Sequence, residues 1–374
     1  CSLIRFSGAG GGVFGYILIS ILTVIQLYVF WRAASVPLLR DHRLLLAGAG
    51  VVLWLLFLFG RIYGHGGTGA AAWWLELIGM HWMAVLFLLF VCLLAVDLVT
   101  GFGFFMPRFA PFLREAALIA GVILSVIALV QGLRPPVIHN YEVHLPGLSR
   151  DMDGTVIVAL SDLHLGTLLG KEWLRERVAQ VEAEKPDMVF LLGDLFEGHG
   201  GSFDDLLPVM RDLSAPLGVW VVPGNHEFYG GGTIGLIERA GFHLLRDRWA
   251  EVAPGLIVAG VDDLTIRHRH GLTGNHVAKV LEGRPSGATI LLSHTPWQTE
   301  DAARVGVGLM LSGHTHGGQV WPFGYVVRIF YPLLEGRYDV SGMTAIVSRG
   351  TGTWGPRMRL WRPGEILRIT LRSE

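Results

Sequence analysis

The chain has 374 residues, of which 51% are hydrophobic and only 16% charged, with 30 basic against 31 acidic side chains. That length holds one large domain or two ordinary ones, but the composition is too apolar for a single soluble globule, and the near-neutral balance offers no basic surface for nucleic acid. Cys1 and Cys92 are the two cysteines, which excludes a disulfide framework and a thiolate metal site.

The apolar excess lies before residue 135. Four runs, at 13–31, 44–60, 77–99 and 116–133, each approach the ~20 residues that a helix needs to cross the hydrocarbon core. Charges and breakers separate them, at 32–43 with Pro37, 64–69, and 101–115 with Pro107 and Pro111. Trp31, Trp73, Trp74 and Trp82 fall near the expected ends, where amphipathic rings favour the headgroup region. His81 and Asp97 are ionisable and could mark a transport path. Each is expected close to a helix end, however, within reach of headgroups or water, and no broken-helix repeat accompanies them. This half reads as a multi-pass membrane anchor. The chain begins at Cys1, which reads as a fragment or shifted start, with a processed lipoprotein terminus as the alternative.

Four crossings put the N-terminus, Arg61 and the C-terminal half on one side of the membrane. The other side receives Arg32, Arg40, Arg43, Arg108 and Arg114, against Arg5, Arg61, Arg134 and Arg150. Positive residues favour the cytoplasm, so this balance leans towards an extracytoplasmic C-terminal half.

After Arg134, Pro135 and Pro136 the pattern changes to short β-rich runs separated by helical stretches, as in an α/β domain. Strands are expected at 155–160, 188–192, 218–222, 256–261, 289–292, 308–311, 344–348 and 366–371, with an amphipathic crossover helix at 171–185. The chain thus divides into an anchor at 1–135, a linker at 136–152 and an α/β domain at 153–374.

Five of these strands run into polar clusters: Ser161-Asp162-Leu163-His164, Gly193-Asp194, Gly224-Asn225-His226-Glu227, Ser293-His294 and Gly313-His314-Thr315-His316. Ligand crevices in α/β sheets lie at the carboxyl ends of strands, so the five would converge. Alternate residues such as Asp162 and His164, or His314 and His316, place both side chains on one face of an extended segment. Carboxylate, amide and imidazole together suit manganese, zinc or iron. Two such cations would lower the pKa of a bridging water and attract an anionic phosphate. Taken singly, each cluster is an ordinary turn or a hydrogen-bonded core histidine. Their order, each at a strand end, points to one site.

These residues resemble the calcineurin-like metallophosphoesterase superfamily, whose motifs read D-x-H, G-D, G-N-H-[DE], H and G-H-x-H in this order. The forms SDLHLG, GNHEFY and GHTHGGQ behind membrane helices are similar to those of transmembrane metallophosphoesterase-domain proteins. They are also similar to those of bacterial envelope phosphodiesterases and UDP-2,3-diacylglucosamine pyrophosphohydrolases. The resemblance covers roughly residues 153–372 and implies a four-layer αββα sandwich. It puts Asp162, His164 and His316 on one metal and Asn225, His294 and His314 on another, with Asp194 bridging both as a catalytic residue. It also gives Asn225 and His226 contact with the phosphate, with His226 protonating the leaving group. Glu197 stands where many members carry Asp, at a position that is not a ligand in the family pattern.

The implied activity is hydrolysis of a phosphodiester or pyrophosphate bond in a lipid-linked or envelope substrate, by attack of a metal-bridging hydroxide. UDP-2,3-diacylglucosamine hydrolysis, a nuclease, and a non-catalytic receptor or scaffold on the same fold are the alternatives. Three further segments have a plain and a functional reading. Arg267 to His270 is a solvated charged run or a headgroup contact. His199 belongs to a Gly-rich loop that could line the pocket. Arg349 and Arg357 bound a Gly-rich stretch that could hold substrate.

Overall fold

A computed structural model of the chain describes residues 9–65, 67–197, 203–229 and 232–373; Cys1 and His199 lie outside them. It divides into two compact units, Cys1–Leu133 with Gly355–Trp361, and Arg134–Trp354 with Arg362–Glu374.

The first unit is built on α1 (Ala9–Ala33), α2 (Arg43–Phe59), α3 (Ala70–Val99) and α4 (Ala110–Leu133). All four carry stretches long and apolar enough to cross a membrane. A π-helical turn at Gly60–Gly64 prolongs α2, so its span exceeds the run expected at 44–60. α3 starts at Ala70 because the alanine-rich residues 70–72 favour helix, although they lack the apolar density that marks a core run. That moves His81 and Trp82 from the expected helix end into its interior. Trp82 Nε1 donates to Gln26 Oε1 at 3.0 Å, and Gln26 Nε2 donates to the Gly50 carbonyl at 2.6 Å, so polar groups in apolar surroundings find partners on neighbouring helices. Leu22, Val29, Phe57, Leu86, Leu89 and Ala117 pack around Leu93. The segment Gly355–Trp361 joins this unit on α4: Arg359 N–H donates to the Ala128 carbonyl and Trp361 N–H to Gln131 Oε1, both at 2.9 Å.

Asp97 differs from expectation. It is 0% exposed instead of reaching water. Arg32 Nε lies 2.6 Å and Arg114 Nη2 2.8 Å from its carboxylate, and Tyr28 donates to it at 2.6 Å. A lone carboxylate would be costly there, so charge neutralisation by residues of α1 and α4 is what allows burial.

The second unit contains, in chain order, β1 (Val137–His144), β2 (Val156–Leu160), α5 (Lys171–Ala183), β3 (Met188–Leu191), α6 (Leu207–Asp212), β4 (Val219–Val221), α7 (Thr233–Arg239), β5 (His243–Leu244), β6 (Arg248–Ala253) and β7 (Leu256–Val261). It continues through α8 (Leu264–Arg269), α9 (His276–Val280), β8 (Ala288–Ser293), α10 (Thr299–Arg304), β9 (Leu309–Ser312), α11 (Gly324–Phe330), β10 (Gly336–Val340), β11 (Met343–Val347) and β12 (Glu365–Arg372). Two mixed sheets result, ordered β1-β12-β2-β3-β4-β5 and β10-β11-β9-β8-β7-β6.

Strand alternation sorts the side chains into layers. Ile157, Met188 and Phe190 of the first sheet pack with Val258, Ile290, Leu292 and Leu311 of the second. Their alternates Val158, Val189 and Leu191 meet Leu174, Val178 and Ile237 of the outer helices. On the far side of the second sheet, Ala259, Leu291 and Met310 meet Val277 and Ala302. Helices, sheet, sheet and helices give the αββα sandwich. Both faces of each central strand are thus covered, which is why these strands read as continuous apolar runs.

Residues 137–144, inside the stretch expected to be a linker, form β1. It pairs in parallel with β12 from Val137 opposite Glu365 to His144 opposite Arg372. As a half-exposed edge strand with a mostly polar sequence, it lacks the apolar run that marked the central strands. Within the first sheet β2, β3 and β4 are mutually parallel, and within the second so are β7, β8 and β9. The carboxyl ends of each set therefore share one edge, which places the five polar clusters.

Candidate metal centre

The chain leaves β2, β3 and β9 through sharp turns. Asp162 (φ 53°), His164 (46°), Asp194 (51°), His314 (70°) and His316 (51°) all occupy the left-handed region. A side chain there costs on the order of 1 kcal/mol or more, and such conformations persist where surrounding contacts impose them. Some of those contacts require glycine. A Cβ on Gly224 would stand 2.2 Å from Asp194 Oδ1, and one on Gly313 would stand 1.8 Å from Ser161 Oγ. The turns can therefore press against one another.

Three sets of side chains have ligand atoms lying within 4.8 Å of one another: Asp162, His164 and His316; His164, Asp194 and His226; and Asp194, His294 and His314. His316 Nε2 is 3.3 Å from Asp162 Oδ1 and 3.1 Å from His164 Nε2. Asp194 Oδ2 is 3.2 Å from His294 Nε2 and 3.9 Å from the Nε2 atoms of both His164 and His226. Hydrogen bonds fix which ring nitrogens face this space. His294 Nδ1–H donates to the Leu192 carbonyl at 2.7 Å, leaving its Nε2 towards Asp194. His314 Nε2 meets the Tyr331 hydroxyl at 2.8 Å, leaving Nδ1 towards His294. Asn225 Nδ2 donates to the Tyr229 hydroxyl at 3.3 Å, while its Oδ1 is buried without a hydrogen-bond partner among the described residues. An orphaned buried carbonyl oxygen among imidazoles and carboxylates fits a divalent cation.

Charge compensation in this cluster is strong. Burial opposes ionisation of Asp194, but the imidazoles of His294, His226 and His164 outweigh it and hold the carboxyl well below its usual range. Burial likewise opposes protonation of His164, and the Glu197 carboxylate reverses this, lifting the imidazole to about 8. Burial, followed by the charge of His294, lowers His314. Cations bound here would have to displace protons held by these imidazoles.

Two glutamates organise the site. Glu197 Oε2 contacts His164 Nδ1 and lies 3.2 Å from His226 Nδ1, so it orients both rings. Glu227 is buried and accepts four backbone N–H groups, from Gly224 (2.8 Å), Asp194 (2.9 Å), Leu195 (2.9 Å) and Phe196 (3.3 Å). It ties the turn after β3 to the turn after β4. The G-N-H-[DE] pattern contained it without indicating this clamp. Tyr229 ends the GNHEFY form, which gave it no role, and Tyr331 had no signal. Glu227→Gln turns an amide NH₂ towards one pair of donors, and each buried donor left unsatisfied costs about 1–3 kcal/mol. Thermal unfolding of the full chain is expected to show the second unit destabilised by on the order of 3 kcal/mol. An unchanged melting temperature would mean that the clamp is dispensable.

The remaining candidates separate. Arg349 donates from its backbone and its guanidinium to Glu365, at 2.7 and 2.9 Å. Beyond it, Thr351 N–H and Gly352 N–H donate to the carbonyls of Ser161 and Asp162 at 2.7 and 3.0 Å, so this loop braces the first turn. Arg357 belongs to the helical unit. In the charged run Arg267 pairs with Asp247, whereas Arg269 donates to the Tyr229 hydroxyl and thereby reaches the partner of Asn225.

Residues 155–318, which contain every cluster from Asp162 to His316, match the family model of the calcineurin-like phosphoesterases. An uncharacterized metallophosphoesterase of Campylobacter jejuni is 31% identical over 263 residues, covering 69% of this chain and 69% of that protein. The transmembrane protein with metallophosphoesterase domain of Danio rerio is 32% identical over 271 residues, covering 69% of this chain and 62% of that one. An uncharacterized metallophosphoesterase of Aquifex aeolicus is 34% identical over 223 residues, covering 58% of this chain and 85% of that one. The chain thus spans just under two thirds of its fish relative. With this extent of likeness, on an αββα frame that gathers every motif residue at strand ends, the chain belongs to the calcineurin-like metallophosphoesterases, which are metal-dependent phosphoester hydrolases.

Proposed function

We propose that this protein is a membrane-anchored dinuclear-metal phosphoesterase that cleaves a phosphodiester or pyrophosphate bond in a lipid-linked or envelope substrate. The observation that carries the reading is the convergence of seven Asp and His side chains, His226 among them, together with the orphaned Oδ1 of Asn225, in a unit joined by the chain to four bilayer-length helices. On this assignment Asp162, His164 and His316 would hold one metal and Asn225, His294 and His314 the other, with Asp194, which groups with His164 and with His294 and His314, serving both. Manganese, zinc and iron all suit these donors. Two divalent ions, when bound, would supply Lewis-acid polarisation of the phosphoryl group and a lowered water pKa.

The chain's own residues do the rest. Glu197 accepts from His226 Nδ1 and turns Nε2 towards Asp194 and the site, where it would deliver a proton to the departing oxygen. His226 is suited to meet substrate because its side chain, 16% exposed, is more open than those of His164 or His294. A second reading makes His226 a ligand, since its ring also groups with His164 and Asp194. The intact donor set argues against a non-catalytic scaffold.

The sequence count of arginines near the helix ends, five against four, leans towards an extracytoplasmic catalytic unit. Intact cells producing the chain should therefore hydrolyse externally added bis-p-nitrophenyl phosphate, a charged diester that crosses membranes poorly. Activity released only by lysis would place the unit in the cytoplasm and favour a nucleotide-linked lipid such as UDP-2,3-diacylglucosamine. No metal-dependent activity before or after lysis would overturn the phosphodiesterase reading.

A further inference from the structure

The second unit buries its apolar residues well, with one exception. Among its described residues, the exposed large hydrophobic side chains are Val137, Leu272, Trp321, Phe323, Tyr325, Val326, Ile329 and Phe330, so six of the eight fall within 321–330. These belong to α11 and the turn that leads into it. Tyr325 is 67% exposed, Ile329 75% and Phe330 64%. Tyr325 with Ile329, and Val326 with Phe330, are i,i+4 pairs, so the four side chains form one patch on the helix surface. A contiguous apolar patch of this kind on an otherwise well-packed unit marks an interaction surface.

The patch is fastened to the metal centre at both ends. Ahead of α11, Gly318 closes the turn that carries His316, and a Cβ on it would stand 2.2 Å from Gly324 Cα, the first residue of the helix. Directly after the helix, Tyr331 N–H donates to the Val327 carbonyl at 2.9 Å and its hydroxyl meets His314 Nε2. Whatever covers the patch is therefore held beside the two histidines of the GHTH motif.

The chemistry of the patch identifies its occupant. Trp321 and Tyr325 are amphipathic rings of the kind enriched at the membrane–water interface, and Arg328 is exposed on the same helix. No acidic residue occurs between Gln319 and Leu334, so the one charge of the segment, on Arg328, is positive and compatible with anionic headgroups. The covalent path supports the same occupant. Leu133 closes a bilayer-length helix and Val137 opens β1, with only residues 134–136 between them, each spanning at most ~3.6 Å. A unit so tethered stays at the lipid surface, and a short helix can dock there without paying the entropy of recruitment from solution.

We propose that α11, with Trp321 and Phe323, is an interfacial lipid-docking element that dips into the bilayer beside the metal centre and turns the site towards bilayer-embedded substrate. The proposal deepens the lipid-substrate reading, but its primary test does not depend on turnover. In the full chain with Cys1→Ser and Cys92→Ser, a bimane label is placed at Ile329→Cys and, as control, at Glu172→Cys on α5. The proteins are reconstituted in phosphatidylcholine–phosphatidylglycerol vesicles carrying doxyl-labelled lipid. Quenching by the doxyl lipid is expected at position 329 and not at 172. A label at 329 that escapes the lipid quencher but is quenched by aqueous iodide would overturn the proposal.

A second measurement uses the double variant Ile329→Ser with Phe330→Ser, both exposed and both outside the candidate ligand groups. Hydrolysis of soluble bis-p-nitrophenyl phosphate should stay within about twofold of the parent, while hydrolysis of a diester embedded in vesicles should fall about tenfold or more, as expected when an apolar membrane contact is removed. Equal rates on the embedded diester would count against docking. Lipid quenching at 329 in a protein that never cleaves lipid diesters would support docking while refuting the substrate reading.

Discussion

Asp194→Ala is expected to empty both metal positions of the purified full chain and to lower phosphodiester hydrolysis by about 10³-fold or more, the scale set by several kcal/mol of lost transition-state stabilisation. The expectation follows from its contacts with histidines assigned to both positions: Oδ2 lies 3.2 Å from His294 Nε2 and 3.9 Å from His164 Nε2. Its Oδ1 is already occupied by the His226 backbone N–H at 2.8 Å. Asp162→Ala should behave differently and deplete one metal while sparing the other, because Asp162 groups only with His164 and His316. Elemental analysis separates the cases, and two metals retained in Asp194→Ala would refute the bridge.

The same site predicts the sign of the pH effect on metal uptake. His164 is lifted to about 8 in the metal-free fold, above the ordinary histidine value, so below that pH it carries a proton that a cation must displace. Apparent affinity should therefore weaken as pH falls from about 8, by roughly tenfold per pH unit for each proton released. Asp194 adds no such dependence near neutrality, because its carboxyl is held well below the usual range and is already ionised. Calorimetric titration in buffers of different ionisation enthalpy would count the protons.

What the sequence made legible was what repeats or alternates. The central strands announced themselves because both faces are buried, and the clusters after them stood out because each broke an apolar run with Asp, Asn or His. β1 and β10 stayed hidden since each lies at a sheet edge, where a polar, half-exposed strand reads as loop. Asp97 was misjudged for a related reason: hydropathy locates a helix end but not the guanidiniums of Arg32 and Arg114 that meet it there. At the candidate metal centre the Asp, Asn and His residues were readable one by one. The supports were not, because Glu197, Glu227 and Tyr331 act on groups distant in sequence through contacts that only the closed sandwich creates.

His226 is where geometry leaves two roles to be separated by experiment. If the ring donates a proton, His226→Ala keeps both metals yet loses on the order of 10²-fold in rate on an alkyl phosphodiester, the usual contribution of a positioned general acid. The loss should shrink on a p-nitrophenyl ester, whose departing oxygen is stable as an anion and needs no proton. If the ring is a ligand, metal content falls and both esters suffer alike. The surroundings favour the first outcome. Glu197 holds Nδ1 at 3.2 Å, the side chain is more open than those of the deeply buried histidines, and the backbone N–H anchors the residue on Asp194 without using the ring. Measuring metal content and the ratio of rates on the two esters in the same preparation decides between them, and an equal loss on both with the metals intact would rule out each role as stated.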